Sequence, residues 1–513
     1  MWILEQILSE KPNLPIDPTD DVETALKIAD LLSASPDIFT MSGDLVRVVV
    51  SSGTPQIVPL DAHSVVYAIH EKCRPVVLKG RTDTEDVYVP TRLPLSAARL
   101  FVDYSDRSPF KELRGLAHTP LVRRNGQIDA EVGYDSISRK FVHLTGTFPM
   151  LSELFHDKNM ASKNLDIIRN LFSEFPYADS PITFYSSRQS AVDLTKPPGL
   201  DESIFLMSLF TMVARPSLPL APGIAIRAPS ISGSGTGKGL AVRALSECAY
   251  GRQPCAMTGG RDGAEFDHRL AAGLLGQEPV LFIDNLNDRT LKSDLLAQVL
   301  SETTVSTRPL GRTKISQLNT NGVIIVTGNG LRLSEDLVSR FLVIDFDTHT
   351  DNAHGRIFEF PDQKFLKIMH TAHHLITAAA LDIMSWGIRE NVPKGPPMRG
   401  YSEWARIVRD PLVALGCRDP TEKCSEIMEE DPVRDIIADF FRSWGEHHGS
   451  SPVTAKSIAP EVLAVADLSA RNRQRVAQFV SNLVNTRAVG YRMTRVRHGT
   501  WGASEYALVP ARA

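Results

Sequence analysis

The residues Ser232-Gly-Ser-Gly-Thr-Gly-Lys-Gly239 carry the most specific chemistry in the chain. Glycines let successive backbone N–H groups turn toward one point, a following helix adds the positive end of its dipole, and Lys238 supplies an ammonium. Such a cradle suits the phosphates of a nucleoside triphosphate, with the lysine reaching the β- and γ-phosphates. Ser232, Gly233, Ser234, Gly235, Thr236, Gly237, Lys238, Gly239 and Leu240 are therefore the expected nucleotide-binding residues, and ATP the expected cofactor. The frame fits, since an apolar run (223–226) precedes the loop and a helix-like segment (240–250) follows it. A flexible Gly/Ser turn is the competing reading, and the strand–loop–helix frame disfavours it. Two positions depart from the common pattern. Ser232 replaces the first glycine, and Gly239 stands where a Ser or Thr hydroxyl would ligate Mg²⁺.

Further along, Pro279-Val-Leu-Phe-Ile-Asp-Asn285 describes a buried parallel strand that delivers a carboxylate to a sheet edge. Asp284 is the expected Mg²⁺ ligand, directly or through water, unless it merely caps the next turn. Asn285 occupies the slot where a glutamate usually polarises the attacking water. An amide orients water but cannot take its proton, so slow hydrolysis is expected, with Asp288 or Glu302 as substitute bases. A third strand, Gly322-Val-Ile-Ile-Val-Thr-Gly-Asn329, ends in an amide that either senses the γ-phosphate or closes a turn. Arg340, in Asp336-Leu-Val-Ser-Arg-Phe341, could complete a neighbouring subunit's site as a finger in trans, or form an ordinary surface ion pair. Between these strands, residues 304–317 read as a hairpin punctuated by Pro309 and Gly311. Arg308, Arg312 and Lys314 crowd it, which suits gripping a phosphate backbone, although a solvated charged turn has the same composition.

These pieces, in this order, resemble the AAA+ core of ring helicases of the minichromosome-maintenance-like and superfamily-three-like types. The closer resemblance is to the replication helicase or primase–helicase ATPases of phages and integrative elements, including staphylococcal cassette elements. It rests on the Ser-Gly-Thr-Gly-Lys-Gly loop, Arg308-Pro-Leu-Gly311, Val326-Thr-Gly-Asn329 and Arg215-Pro-Ser-Leu-Pro219. It extends more weakly to Leu113-Arg-Gly-Leu116, Val132-Gly-Tyr-Asp135 and Val408-Arg-Asp-Pro-Leu412. The resemblance implies a homo-hexamer with ATP and Mg²⁺ between subunits and single-stranded DNA threaded through a central pore lined by the hairpin. The implied work is ATP-driven unwinding or translocation during replication of a mobile element, with a primase or other replication partner as a further expectation. Two alternatives stay open: an origin-binding ATP switch that melts DNA, and a platform in which ATP only joins subunits. Pro309 stands where minichromosome-maintenance relatives tend to place a lysine, which shifts the expected contact to the flanking arginines.

The elements that must position these groups follow from periodicity. Alternating strand and helix patterns through residue 347 indicate an α/β domain built on a mostly parallel sheet. The expected organisation is an α+β N-terminal region (1–110), a turn-rich β-containing collar (111–198) and the AAA+ P-loop core (199–347). A helical lid (348–430) and a C-terminal winged helix (431–513) follow. An apolar helix at 204–214 should pack on the sheet, and Arg409 and Arg356 are candidate lid sensors. In the last segment a helix is expected over 453–466, another over 471–485, then a β-hairpin. Its basic excess makes Arg471, Arg473, Arg475, Arg492 and Arg495 the expected contacts to duplex DNA, with dimerisation or lid docking as the competing role.

Composition sets the outer bounds. With 513 residues, 42% hydrophobic and 23% charged, the chain is long enough for about three domains and is not of disordered type. A net charge of −4 makes any nucleic-acid footprint local. Cys73, Cys248, Cys255, Cys417 and Cys424 form no C-x-x-C pair, as expected of reduced cytoplasmic thiols. Neither the opening residues nor the apolar run 204–214 predicts a signal peptide or a membrane span.

Overall fold

The computed structural model describes residues 11–51, 53–81, 86–103, 109–146, 148, 157–186, 189–230, 233–307, 316–349, 358–429, 432–466, 473–497 and 504–510. These fall into two compact units that divide between Thr421 and Glu422. Among the described residues no helix is long and apolar enough to cross a membrane.

The larger unit is built around a five-stranded parallel sheet. Its elements run α1 (Leu200–Ala214), β1 (Gly223–Ala228), α2 (Lys238–Tyr250), β2 (Ala256–Thr258), α3 (Gly263–Leu275) and β3 (Val280–Asp284). They continue as α4 (Asp294–Ser301), the antiparallel pair β4 (Thr304–Thr307) and β5 (Ser316–Asn319), then β6 (Val323–Asn329), β7 (Phe341–Asp345) and α5 (Asp362–Arg389). The sheet order is β2-β3-β6-β1-β7. Runs such as Val323-Ile-Ile-Val326 are buried on both faces, which is why they read as continuous rather than alternating apolar sequence. The order has one consequence for chemistry. β6 lies between β1 and β3, so its last residue ends beside both the loop after β1 and the carboxylate ending β3.

The expected apolar helix is α1, and every one of its residues is buried. A helix apolar all round needs partners on every side. It finds α2, α5 and β7. Its acidic first turn is buried with it: Asp201 accepts the Asp345 N–H at 2.8 Å, and Glu202 pairs with Arg169 at 2.8 Å. α5 packs on α2 and contributes Met369, Ile376, Leu381 and Met384 to the same core. Arg409 is 2% exposed and bound by Asp410 at 2.7 Å, so it serves the interior and is not free to sense a ligand. Arg356 lies outside the described residues.

Upstream, helices 21–33, 62–72 and 95–103 enclose a separate core with Ile38, Leu45 and Leu60. The Asn125-Gly126 turn joins Leu121–Val122 to Ile128–Asp129. Arg123 in that hairpin is bound by Asp129 at 2.5 Å and Asp135 at 2.7 Å.

The second unit contains α6 (Pro432–His448), β8 (Val453–Thr454), α7 (Pro460–Val465), α8 (Arg473–Asn482), β9 (Arg487–Ala488), β10 (Tyr491–Arg497) and β11 (Glu505–Pro510), its sheet ordered β8-β11-β10-β9. The expected helix over 453–466 is thus shorter. Val453 and Thr454 pair with β11 as a strand, and Pro460 sets the first helical turn. The expected β-hairpin gains a short preceding strand, because Val489 and Gly490 both take positive φ and turn β9 into β10.

The Arg169–Glu202 pair generates the first prediction. Arg169→Met strands a buried carboxylate and should cost about 3–5 kcal/mol. Arg169→Met/Glu202→Leu should recover most of that loss in chemical denaturation of the full chain. Equal stability of the single and double variants would show that the pair does not govern this packing.

Candidate functional site

The phosphate-type loop leaves β1 at its carboxyl end and enters α2 at Lys238. Gly235 and Gly237 take φ of 82° and 88°, where a side chain would be strained, and Gly237 caps α2 in the left-handed region. Gly233 is required by space. A β-carbon there would overlap the Pro229 carbonyl oxygen and stand 2.8 Å from Asn329 Oδ1. Gly239 is different, since an added β-carbon meets only Arg243 Nη1 at 3.3 Å. A hydroxyl-bearing side chain would fit there with a small shift of one flexible arginine.

Lys238 folds back into the loop. Its Nζ donates to Gly233 O at 2.8 Å, Thr236 Oγ1 at 3.0 Å and Asn329 Oδ1 at 2.5 Å. These acceptors are uncharged, and burial pushes the ammonium down to about 8, with Asp284 opposing the shift. A half-buried cation among neutral acceptors at a helix N-terminus is poised to exchange those acceptors for an anion.

Asp284 ends β3 beside it. It accepts the hydroxyl of Thr327 and the Asn285 N–H, the latter at 2.9 Å. Thr327 is fully buried in β6, and sequence reading missed it. The signal was present, because a lone hydroxyl inside an apolar strand must find a partner. Asn285 takes φ 63° in an exposed turn. The turn is tied to β6 by Leu286 N to Thr327 O (2.8 Å), Asp288 N to Asn329 O (2.7 Å) and Asn329 N to Asn287 Oδ1 (2.8 Å). Asp288 accepts the Ser230 hydroxyl from the start of the loop. The carboxyl ends of β1, β3 and β6 therefore bring together Lys238, Asp284, Asn285, Asp288 and Asn329, where ligands of open parallel sheets gather.

Two expected groups lie elsewhere. The backbone of Glu302 bonds to Thr320, before the first residue of β6, so it stands at the opposite end of the sheet and cannot act as base at this loop. Arg340 also lies at that end: its carbonyl accepts the N–H of Gly223, the first residue of β1. Six residues at the strand rise put it about 20 Å from the loop of its own chain. Its guanidinium bonds Asp336 Oδ1 and Ser301 Oγ at 2.5 and 2.8 Å. His373 packs against His374, and no metal-binding cluster of His, Cys, Asp or Glu occurs among the described residues.

For the cationic candidates the placement is mixed. Ser232, Arg308, Arg312, Lys314 and Arg471 lie outside the described residues, and Arg473 is placed only as a backbone position in α8. The antiparallel base of the 304–319 hairpin is formed. In the second unit Arg475 is exposed on α8, and Arg492 sits directly across from Arg487. Arg495 is engaged at home. It donates to Ser481 Oγ at 2.5 Å and lies 5.6 Å over the Tyr506 ring, because alternation from buried Met493 turns it toward the sheet's packed face.

No protein-family model matches the chain, and no curated protein matches it. A solved structure titled "SCCmec type IV Cch - active helicase" is similar at 14% identity, covering 92% of each chain with a TM-score of 0.34. So low a score leaves the functional reading to the geometry of the site.

The steric limit at Gly233 gives a direct test. Gly233→Ala should weaken binding of a fluorescent nucleoside triphosphate at least about tenfold by displacing the loop backbone, whereas Gly239→Ala should change it less than about twofold. Equal losses at both positions would refute the proposed cradle.

Proposed function

We propose that this protein is an ATP-dependent nucleic-acid translocase of the AAA+ ring-helicase type, with Lys238 and Asp284 at the centre of its nucleotide site. The observation that carries this reading is the Lys238 ammonium, held by neutral acceptors at the start of α2 with Asn329 and Asp284 beside it. Residues 233–240 would hold the phosphates, with Ser232 extending the loop. Asp284, oriented by Thr327, would hold Mg²⁺, which when bound neutralises charge on the transferring phosphate. One carboxylate with phosphates and water is a sufficient shell for this ion.

Asn329 would follow the γ-phosphate, since its Oδ1 already contacts Lys238. Asn285 would orient water. Asp288, held at φ 51° against Ser230, would take the proton. Arg340 cannot serve the site of its own chain, which supports a trans role in a closed ring such as a hexamer. It would have to leave Asp336 to fill it. The hairpin bearing Arg308, Arg312 and Lys314 would then move along a single strand, and the C-terminal unit, read as a winged helix, would meet duplex through Arg475 and Arg492. A slower switch that melts origin DNA is the second reading, favoured by Gly239 and Asn285, which thin the metal and water contacts.

Turnover measured with and without single-stranded DNA tests both. Lys238→Ala and Asp284→Asn should each lower phosphate release about 100-fold or more. Asp288→Asn should fall further than Asn285→Ala with triphosphate affinity kept. No phosphate release by the native protein, with or without DNA, would overturn the translocase reading. Fork opening that needs ATP binding but not its hydrolysis would select the switch.

The state of Lys238 predicts a pH dependence. Its folded pKa of about 8 lies below the unfolded value, so the empty protein gains stability as pH rises from 8 toward 10.5. Bound triphosphate favours the charged form, so affinity should fall about tenfold from pH 7 to 9, where the triphosphate is fully ionised, in calorimetry. Lys238→Met should abolish that slope.

A further inference from the structure

A cleft of about 600 Å³ opens at the amino ends of the sheet strands, away from the nucleotide loop. Thr304, which opens β4, and Thr320, which follows β5, both line it, so it stands at the base of the cationic hairpin. Its walls also include Arg114 and Pro216–Pro219, segments that the sequence singled out and the nucleotide site does not use.

Lys140 is the unusual group in this wall. It is only 7% exposed, and its Nζ donates to the Pro216 carbonyl at 2.9 Å. Among the described residues it forms no ion pair. Its charged neighbours are Arg114 and Arg215, which repel it. Arg215 is itself buried, with the carbonyls of Leu218, Gly322 and Thr320 as acceptors and no carboxylate among the described residues. The wall's carboxylates are committed. Glu112 is bound to Arg114 and Arg139, and Glu403 to Arg406 at 3.0 Å. Arg124 is exposed at the same cleft and forms no ion pair among the described residues.

Two buried cations without a counter-ion are costly, and an ammonium in the wall of a cleft, bonded to a single carbonyl, has N–H groups to offer an incoming anion. We propose that this cleft binds a backbone phosphate of a single nucleic-acid strand at Lys140, with Arg114 and Arg124 at its mouth. The proposal rests on the translocase reading for its ligand and adds a contact at the hairpin base, distinct from the hairpin tip. Burial and the neighbouring arginines push Lys140 down to about 7, so the site is half charged near neutrality and a phosphodiester would draw a proton onto it.

The test uses the full chain and a fluorescent oligothymidylate, whose backbone charge does not titrate over the range. Anisotropy should show affinity falling about 20-fold from pH 6.5 to 8.5, as linkage to a group near 7 requires. In Lys140→Met that slope should vanish and affinity at pH 6.5 drop about tenfold, with ATP affinity unchanged. Arg124→Glu, an exposed change that leaves the core intact, should weaken binding similarly while keeping the slope. Native binding with the same slope in Lys140→Met would overturn the cleft and leave the translocase reading standing. No binding by the native protein at any pH would overturn both. In the Lys238→Ala background, displacement of the oligonucleotide by micromolar ADP or inorganic phosphate would overturn the strand as the source of the phosphate.

Discussion

The site depends on one constraint: β6 is inserted between the strand that feeds the loop and the strand that ends in Asp284. With it, Asn329 meets Lys238 and Thr327 meets Asp284, so each charged group is held by a neutral partner. Hydrogen bonds from neutral partners orient a charge without cancelling it. An anion and a cation can then enter the gap between the two groups without first breaking an ion pair, which would oppose binding more strongly.

The same constraint explains the turn after Asp284. Residues 285–288 cannot continue as a strand, since β3 has ended while β6 runs on beside it. The turn takes positive φ at Asn285 and Asp288 and is bonded back to β6 by Leu286, Asn287 and Asp288. Strain at such positions persists only where surrounding contacts over-determine it. Here those contacts are the edge of β6, so the backbone of Asp288 is fixed by the strand that also carries Asn329, while its carboxylate is held by Ser230.

Much of this was legible in sequence because it is local. The loop, the apolar strands and α1 each announce themselves through glycine spacing or unbroken hydrophobic runs, and the parallel sheet follows from their alternation with helices. What was not legible depends on neighbours distant in sequence. Thr327 reads as one more strand residue until β3 lies beside β6. Glu302 and Asp288 are equivalent acids in a linear search, and only strand direction puts one at the loop and the other at the far end. Val453 and Thr454 join a strand rather than a helix because β11, some fifty residues later, offers them an edge. Arg495 counts as a basic residue in any tally, yet alternation from Met493 turns it onto Tyr506.

β6 also connects the two ends of the core. Its carboxyl terminus carries the amide that contacts Lys238, and its amino terminus continues directly into β5 and the hairpin base. A buried strand bonded on both sides is stiff along its length, so a phosphate bound as proposed, displacing Asn329, would have a short mechanical route to Thr320. At that far end Arg215 grips the carbonyls of Thr320 and Gly322 from the turn after α1. The cations without counter-ions therefore sit at both ends of one rigid element, Lys238 at one and Arg215 with Lys140 at the other. Anions arriving at either end would relieve the same kind of desolvation cost. A strand that spans two such sites is the physical means by which filling one could alter the other.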